Sequence, residues 1–243
     1  REGSDLIVDN QMTCCEIPND LMRGMRSSIV FLGAIVSRCG EANLYFPGGC
    51  EIGLRPIDLH ISSLKKLGIE ITETGGCLKC SAPQGIKGNY ISMAFPSVGA
   101  TENLMLAAVC SKGTTVIANA AREPEILDLA DYLNRCGGRI YGAGESCVII
   151  DGVDELRACE HTIMPDRIAT VKIRPAAAGN DADLWLKGVS ITHVRPMLPL
   201  CEDQGWVVRQ YGKNINIMAL KGFNLLKLKG TIPYPGFRSV ASP

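Results

Sequence analysis

The chain has 243 residues, which is enough for one large domain or two small ones. Hydrophobic residues make up 46% of it and charged residues 21%, as is typical of a globular protein that buries a core. Basic and acidic residues number 25 each. This balance argues against a nucleic acid or a membrane as the partner, because both select a basic excess.

The cysteine content indicates a reducing compartment. There are eleven cysteines, without the spacing of a disulfide framework, and the sequence contains no secretory pattern and no apolar run of about 18 residues. We therefore predict free thiols and a cytoplasmic location. Cys77 and Cys80 form one CxxC without a second pair, so a β-turn between two strands is favoured over a metal site. The chain begins at Arg1 rather than at methionine, and we expect it to be cut at both ends.

Taken in chain order, the predicted elements form a repeat of about 69 residues. Gly68, Gly137 and Gly205 lie 69 and 68 residues apart, and each closes a similar segment. In the second of these segments apolar residues recur at helical spacing, Pro124 suits the first turn, and Gly137 suits the position after the last turn. The third contains two prolines, so its helix should be short or broken.

A further helix precedes each of these, and short strand-like runs separate them. The preceding helices are predicted over 20–39, 100–111 and 168–178, the first stopped by Gly40 and the second capped by Ser97. The strands are predicted over 43–46, 90–95, 114–118, 146–151, 189–192 and 214–219. Each unit thus reads strand, helix, strand, helix, strand, strand, which indicates an α/β fold of repeated βαβαββ units.

The loop over residues 46–60 is the first candidate site. Proline and glycines surround Cys50, and the loop is longer in the first repeat than in the second, as an insertion would be. A thiol there, with Arg55 five residues on, suits a nucleophile or proton donor of lowered pKa. The alternative is that Cys50 is one inert thiol among eleven.

Four other segments carry candidate residues, each with a plain structural alternative. Arg26 could hold a phosphate or lie on a solvated helix face. The run FPSVGATEN, 95–103, leads from a strand into a helix N-terminus that could bind an anion or simply be capped. The acids of NAAREPEI, 119–126, could act on a ligand or offset a helix dipole. Asp166 of PDRI could cap a helix or contact a ligand.

Taken together, these motifs resemble the UDP-N-acetylglucosamine 1-carboxyvinyltransferases, which carry PGGCxIGxRPxDLH, FPSVGATEN, NAAREPEI and PDRI in this order. The resemblance implies transfer of the enolpyruvyl group of phosphoenolpyruvate to the 3′-hydroxyl of UDP-N-acetylglucosamine, the first committed step of peptidoglycan synthesis. It implies an inverse α/β, barrel-like fold of two domains, with 1–165 as most of the first and 166–243 as the start of the second. It also implies a cytoplasmic monomer without a cofactor, a metal, a nucleic acid or a membrane as partner.

The resemblance also implies roles for particular residues. Cys50 matches the loop cysteine that protonates or adds to phosphoenolpyruvate and that fosfomycin alkylates. Arg26 and Arg55 match arginines at the phosphate and carboxylate, and Glu123 and Asp166 match acids near the substrate. The segment that lines the uridine nucleotide is matched by Arg55, Pro56, Ile57, Asp58 and Leu59. The contacts on the diphosphate side are matched by Ser97, Val98 and Gly99.

The chain departs from the family pattern at several points. The family's N-terminal Lys-Asn motif, whose lysine binds phosphoenolpyruvate, is expected about 65 residues before this chain begins and is absent from this sequence. Val240 stands where the family's PxFPTD motif has an aspartate, and a valine can neither accept a proton nor orient a hydroxyl. In PDRIATVKIRP, Val171, Arg174 and Pro175 fall in an expected helix.

Three interpretations follow. The first is an enolpyruvyl transferase whose 243-residue piece is inactive by itself. The second is a degenerate remnant that at most binds the UDP-sugar. The third is the shikimate-pathway relative, 5-enolpyruvylshikimate-3-phosphate synthase, which shares the fold, but the Cys50 loop and the PxDLH run favour the UDP-sugar branch.

Overall fold

A computed structural model of the chain describes residues 5–8, 11–12, 14–48, 57–170, 183–199 and 206–219. Its contacts divide the chain into two units, residues 1–161 and 162–243. This boundary lies four residues before the domain boundary expected from the sequence.

The first unit contains two copies of one βαβαββ arrangement. The first copy consists of β1 (Glu16–Ile17), α1 (Asn19–Gly24), a 3-10 helix (Arg26–Val30), α2 (Phe31–Cys39), β2 (Glu41–Tyr45), α3 (Asp58–Lys66), β3 (Glu70–Thr74) and β4 (Cys77–Ser81). The second consists of β5 (Tyr90–Ser92), α4 (Val98–Ala108), β6 (Thr114–Ala118), α5 (Pro124–Arg135), β7 (Arg139–Tyr141) and β8 (Cys147–Asp151). The repeated unit predicted from the sequence is therefore present.

Both copies form a four-stranded sheet with the same strand order. The first sheet has the order β1-β2-β4-β3 and the second β5-β6-β8-β7. In each, the first pair is parallel and the other two pairs are antiparallel. A parallel pair needs a crossover, and the helix after the first strand of each copy supplies it.

The helices of the two copies pack against each other, and α4 lies at the centre of this layer. It contacts α2, α3 and α5 as well as two strands of its own sheet. Seven of its eleven residues are buried, and Ala100, Leu104 and Met105 have no exposed surface. A helix that is apolar nearly all round must be enclosed. α4 therefore lies in the interior of this unit.

The predicted first helix, 20–39, is wrong as a single element. It is divided at Met25, whose backbone is extended (φ −148°, ψ 126°), into α1, the 3-10 helix and α2. The cause lies at Ser28, whose hydroxyl donates to the carbonyls of Met22 at 3.1 Å and Met25 at 2.6 Å. A serine that bonds nearby backbone groups competes with the helical ladder. The predicted stop at Gly40 is confirmed, with φ at +75°.

The two helix-closing glycines that the structure describes have the predicted conformation. Gly68 follows α3 with φ at +86°, and Gly137 follows α5 with φ at +100°. Gly205 lies outside the described residues. Pro124 occupies the first turn of α5 as expected, and Ser97 caps α4, which begins two residues before the predicted start.

The second unit contains the three-stranded antiparallel sheet β10-β11-β9, formed by β9 (Asp183–Leu186), β10 (Trp206–Tyr211) and β11 (Asn214–Ala219). The strand predicted over 189–192 is wrong, because Ile191–Val194 is a short helix that continues into a 3-10 helix at Arg195–Met197. The short, interrupted helix predicted for this repeat is thus observed. Of the helix predicted over 168–178, the structure describes only residues 168–170, which are helical.

Within the described residues, no helix combines the length and the apolar character needed to cross a membrane. The CxxC cysteines lie in β4, just after the Gly75–Gly76 turn that joins it to β3. Among the described residues, no three His, Cys, Asp or Glu side chains are grouped as a metal site.

Candidate functional site

The N-terminus of α4 is the first part of the candidate site. Ser97 has an extended backbone, and its side-chain oxygen accepts a hydrogen bond from Ala100 N at 3.4 Å. The N–H groups of Val98 and Gly99 precede the helical ladder and have no acceptor within it. All three residues of the predicted diphosphate contact are half-buried and lie at this helix end. The capping alternative is therefore observed, while anion binding at this helix end stays a prediction.

His60 of α3 lies directly against this helix end. A Cβ atom built on Gly99 would be 3.1 Å from His60 Cε1 and 3.4 Å from His60 Nε2. Glycine at this position lets the imidazole approach the first turn of α4 closely. Residues 57–60, which overlap the predicted nucleotide-lining segment 55–59, are thereby brought to the predicted diphosphate site.

Asn103 fixes the histidine and ties four elements together. Asn103 has no exposed surface. Its Nδ2 donates to Ile29 O at 3.0 Å and lies 3.0 Å from His60 Nδ1, while its Oδ1 accepts from Gly33 N at 2.6 Å. One amide group of α4 thus bonds the 3-10 helix, α2 and α3. Buried amides are stable only when their donors and acceptors are matched in this way.

These contacts define the charge state of His60. Because the amide nitrogen of Asn103 can only donate, His60 Nδ1 must accept, and the ring is neutral with its proton on Nε2. Burial first, and then the positive charge of Arg26, lower the pKa of His60 from 6.5 to about 4, against the opposite effect of Asp58. His60 is therefore a neutral group at physiological pH and not a cation for binding phosphate.

Arg26 supplies positive charge on the same side of the helix layer. It begins the 3-10 helix, is half-buried, and is close enough to His60 to affect its ionisation. The 3-10 helix is anchored at Ser28 and at Ile29 O by the hydrogen bonds described above. Arg26 thus projects from a fixed backbone rather than from a regular helix face.

The loop over residues 119–123 is held against the first turn of α4. Ala121 N donates to Thr101 Oγ1 at 3.1 Å, and Thr101 Oγ1 donates to Ser97 O at 2.8 Å. Asn119 has a left-handed backbone with φ at +58°, and its side chain donates to Met93 O at 3.0 Å. The conformation of the NAARE run is therefore set by tertiary hydrogen bonds.

The same arrangement changes the ionisation of a carboxyl group on α4, that of Glu102. Burial first, and then the negative charges of Glu125 and Glu123, raise the pKa of Glu102 on α4 from 4.5 to about 7. Near neutral pH the carboxyl of Glu102 can therefore exchange a proton. Glu123 caps α5 without a side-chain capping bond, and its carboxylate accepts a hydrogen bond from Arg122 N at 2.9 Å.

The predicted site residues are thus partly brought together. Arg26, Ser97, Val98, Gly99 and Glu123 lie around the α4 N-terminus or the loop bonded to it. Of the predicted nucleotide-lining segment, Ile57 is buried, Asp58 is exposed and Leu59 is half-buried at the start of α3. Cys50, Arg55 and Pro56 lie outside the described residues.

Asp166 belongs to the second unit, where it caps a helical turn. Its Oδ1 accepts from Ala169 N at 2.9 Å, and its carbonyl accepts from Thr170 N at 3.2 Å. The capping alternative for this residue is therefore observed, while ligand contact stays a prediction.

Sequence reasoning missed the functional importance of His60, Asn103 and Glu102. A signal existed for Asn103, because it occupies a position three residues after Ala100 where the buried stripe of α4 predicts an apolar side chain. No local pattern indicates the raised pKa of Glu102, since its causes are burial in the folded unit and, after that, the charges of Glu125 and Glu123.

Comparison with known proteins identifies the family. A family model described as EPSP synthase (3-phosphoshikimate 1-carboxyvinyltransferase) matches residues 1–227. A UDP-N-acetylglucosamine 1-carboxyvinyltransferase of Caldanaerobacter subterraneus subsp. tengcongensis is 44% identical over 242 residues, 99% of this chain and 58% of that protein. One of Staphylococcus aureus is 39% identical over 98% of this chain and 56% of that protein. The chain thus spans somewhat more than half the length of these relatives.

Solved structures show the same fold. The enolpyruvyl transferase NikO from Streptomyces tendae matches with a TM-score of 0.73 at 22% identity, over 86% of this chain and 50% of that one. EPSP synthase from Acinetobacter baumannii matches with a TM-score of 0.55 at 18% identity, over 79% and 46%. The expected enolpyruvyl transferase fold is confirmed, although the described residues do not close a barrel. The chain belongs to the EPSP synthase family of carboxyvinyltransferases, and the resemblance to UDP-N-acetylglucosamine 1-carboxyvinyltransferases is confirmed by relatives of that name.

Proposed function

We propose that this chain provides the UDP-sugar half-site of an enzyme that transfers the enolpyruvyl group of phosphoenolpyruvate to the 3′-hydroxyl of UDP-N-acetylglucosamine. The product would enter peptidoglycan synthesis in the cytoplasm. The proposal rests on three motif segments that are distant in sequence and that meet at the N-terminus of α4. Arg26, the start of α3 at Asp58–His60 and the start of α4 at Ser97–Gly99 meet there.

The chemistry of this convergence suits a nucleoside diphosphate. Backbone N–H groups at a helix N-terminus and a nearby arginine offer donors and positive charge to phosphate oxygens. The neutral His60 offers its Nε2 proton as a further donor, because Asn103 holds the other nitrogen as an acceptor. Asp58 is exposed beside them and could accept hydrogen bonds from a base or sugar.

In this proposal Cys50 and Arg55 act from the loop between β2 and α3. The reaction passes through a tetrahedral adduct, for which a thiol can give the proton to the methylene carbon and arginines can stabilise developing charge. Closure of the loop would exclude water from the enol ether. The residues after 161, including the capped turn at Asp166, would begin the second domain.

Ligand binding tests the half-site. We expect UDP-N-acetylglucosamine at about 100 times its dissociation constant to stabilise the purified 243-residue chain by about 2.7 kcal/mol. The Gly99→Ala variant places a methyl group against the His60 ring, so its stabilisation by the same ligand should be much smaller. Gly24→Ala, where no atom lies within 4 Å of the added Cβ, is the control and should respond as the parent chain does. A flat melting temperature up to millimolar ligand in the parent chain would contradict the proposal.

Turnover separates this proposal from the alternative of a non-catalytic remnant. We propose that the 243-residue chain alone binds the sugar nucleotide without releasing phosphate, because it spans only 52–58% of its relatives and carries Val240 at the family's aspartate position. Phosphate release should appear when a second-domain fragment of a relative with an intact aspartate is added. A chain that stays inactive under that complementation, yet binds the ligand, would favour the remnant. Phosphate release at an ordinary enzymatic rate by the chain alone would show that the proposed inactivity is wrong.

A further inference from the structure

The last residues of the first unit, 157–161, run back along α5, and we call them the connecting segment. Arg157 N donates to Cys136 O at 2.7 Å, immediately after α5 ends. The segment ends at the boundary between the two units. A contact that holds the connecting segment on α5 therefore also holds His161, the last residue of the first unit.

A histidine and two carboxylates form one part of this attachment. The His161 side chain is only 9% exposed, and its Nε2 lies 3.2 Å from Asp128 Oδ1 on α5. Its Nδ1 lies 3.5 Å from Asp131 Oδ2, in a geometry that makes no hydrogen bond. The ring also packs edge-on against Tyr132, with centroids 5.5 Å apart. One face of α5 thus holds the end of the connecting segment.

Two thiols form the other part. Cys136 Sγ lies 3.3 Å from Cys159 Sγ, and Cys159 Sγ lies 3.9 Å from Tyr132 O. Sulfur atoms in a disulfide are about 2.05 Å apart, so an approach of about 1.3 Å would join them. Cys136 is 4% exposed, whereas Cys159 is half-buried. The pair thus combines one accessible thiol with one enclosed thiol, both already in contact.

We propose that Cys136 and Cys159 are a redox-active dithiol that closes to a disulfide when a peroxide oxidises it. The thiolate of Cys159 attacks one peroxide oxygen, the O–O bond breaks, and hydroxide leaves, so that Cys159 becomes a sulfenic acid. The thiolate of Cys136 then attacks the sulfur of Cys159, the S–O bond breaks, and a second hydroxide leaves. The two thiol protons convert both hydroxides to water, so one hydrogen peroxide is reduced for each disulfide formed.

The order of attack follows from the surroundings of the two thiols. Burial, and then the adjacent Cys159 thiol, raises the pKa of Cys136. A thiol with a raised pKa is a poor first nucleophile, because the thiolate is the reactive form. Cys136 therefore suits the second, resolving step, in which it attacks the sulfur of Cys159. The two sulfur atoms are already in contact, so this step needs no diffusional encounter.

The CxxC of this chain is not equivalent to this pair. Cys77 and Cys80 are three residues apart on β4, and side chains separated by an odd number of positions point to opposite faces of a strand. Cys80 is buried, while Cys77 is half-buried. The pair that sequence motifs would select is therefore unsuited to a disulfide, and it serves as an internal control.

Closure of the Cys136–Cys159 disulfide would attach the connecting segment covalently to α5. The bond would join residues 23 positions apart and would restrict the unfolded chain. We expect the melting temperature of the oxidised chain to rise by about 5 °C. The path from the first unit into the second would then be fixed under oxidising conditions and released by a thiol reductant.

Peptide mapping tests the proposal. The full 243-residue chain is treated with hydrogen peroxide, alkylated and digested with trypsin without reduction. We expect a peptide that links residues 136–139 to residues 158–167 and that disappears after treatment with dithiothreitol. Peptides linking 67–79 to 80–87, which would report a Cys77–Cys80 bond, should be absent.

Variants supply the controls. Cys159→Ser should abolish the linked peptide and the rise in melting temperature, and Cys136→Ser should do the same, whereas Cys77→Ser should leave both unchanged. The proposal is wrong if the 136–139 and 158–167 peptides stay unlinked at peroxide concentrations that oxidise other cysteines of the chain. It is equally wrong if the Cys77–Cys80 link forms in higher yield, or if the rise in melting temperature persists in Cys159→Ser.

Discussion

The two copies of the βαβαββ unit share a strand order but differ in the length of the connection before their last helix. In the first copy, 12 residues (46–57) join β2 to α3, whereas in the second, five residues (119–123) join β6 to α5. The seven additional residues fall where the sequence places Cys50 and Arg55. The strand order is thus the same in both copies, whereas the connection that carries the proposed chemistry is longer in the first. The first copy also has α1, the 3-10 helix and α2 where the second has α4 alone.

The shorter connection shows what the scaffold does without an insertion. Its backbone is bonded at Ala120 to Ser146 O, at Ala121 to Thr101 Oγ1 and through the Asn119 side chain to Met93 O. Three tertiary hydrogen bonds within five residues restrict the backbone conformations of the shorter connection. We propose that the longer connection of the first copy instead closes over the substrate.

The contact between the two copies should be the most sensitive point. Gly33 of α2 packs directly on Asn103 of α4, and a Cβ at Gly33 would collide with the backbone oxygen of Asn103 and with its Oδ1. We expect Gly33→Ala to lower the free energy of unfolding by about 4 kcal/mol, since it forces the helices apart and breaks the Gly33 N to Asn103 bond. Urea denaturation measures this, with Gly24→Ala as the matched control. A loss below about 1 kcal/mol would mean that the copies are not tightly packed here.

The histidine between the copies should make the first unit sensitive to acid. The pKa of His60 is lowered from 6.5 to about 4, so the unfolded chain binds a proton between these pH values while the folded chain does not. The associated stability is present above pH 6.5 and is lost as the pH falls to about 4, by about 3 kcal/mol. His60→Asn keeps an acceptor for Asn103 but does not titrate. Its free energy of unfolding should therefore depend less on pH in this window, and an unchanged pH profile would contradict the assignment.

The shorter connection offers a test of its own rigidity. Asn119 combines a left-handed backbone with a side-chain bond to Met93 O. Asn119→Ala loses the bond and strains the backbone, so we expect a cost of about 2 kcal/mol in the free energy of unfolding. Asn119→Gly loses only the bond, and its cost should be about 1 kcal/mol lower. Equal costs for the two variants would show that backbone strain is unimportant at this turn.

The sequence predicted the repeat, the closing glycines and the capped helices because these depend on local spacing and backbone preference. It predicted one helix over 20–39 because the apolar stripe continues, while the break comes from the Ser28 hydroxyl. It also treated 189–192 as a strand, although a run of four residues with three β-branched side chains cannot be distinguished from a helical turn without its neighbours. The roles of His60 and Asn103 depend on contacts 43 residues apart, which no local pattern contains.

The smallest expected effect lies where the shorter connection leads into α5. Glu102 faces Glu123 and Glu125, and burial together with these charges raises its pKa from 4.5 to about 7. A raised carboxyl pKa means that stability is greatest while the group is protonated and is lost as the pH rises through 7. Glu102→Gln removes this titration, and we expect it to raise the free energy of unfolding by about 1 kcal/mol at pH 8, after allowance for partial exposure. At pH 4.5 the variant and the parent chain should differ little. If the free energies of unfolding of the variant and the parent chain differ equally at both pH values, Glu102 is not held near Glu123 and Glu125. The shorter connection would then not bring α5 close to α4.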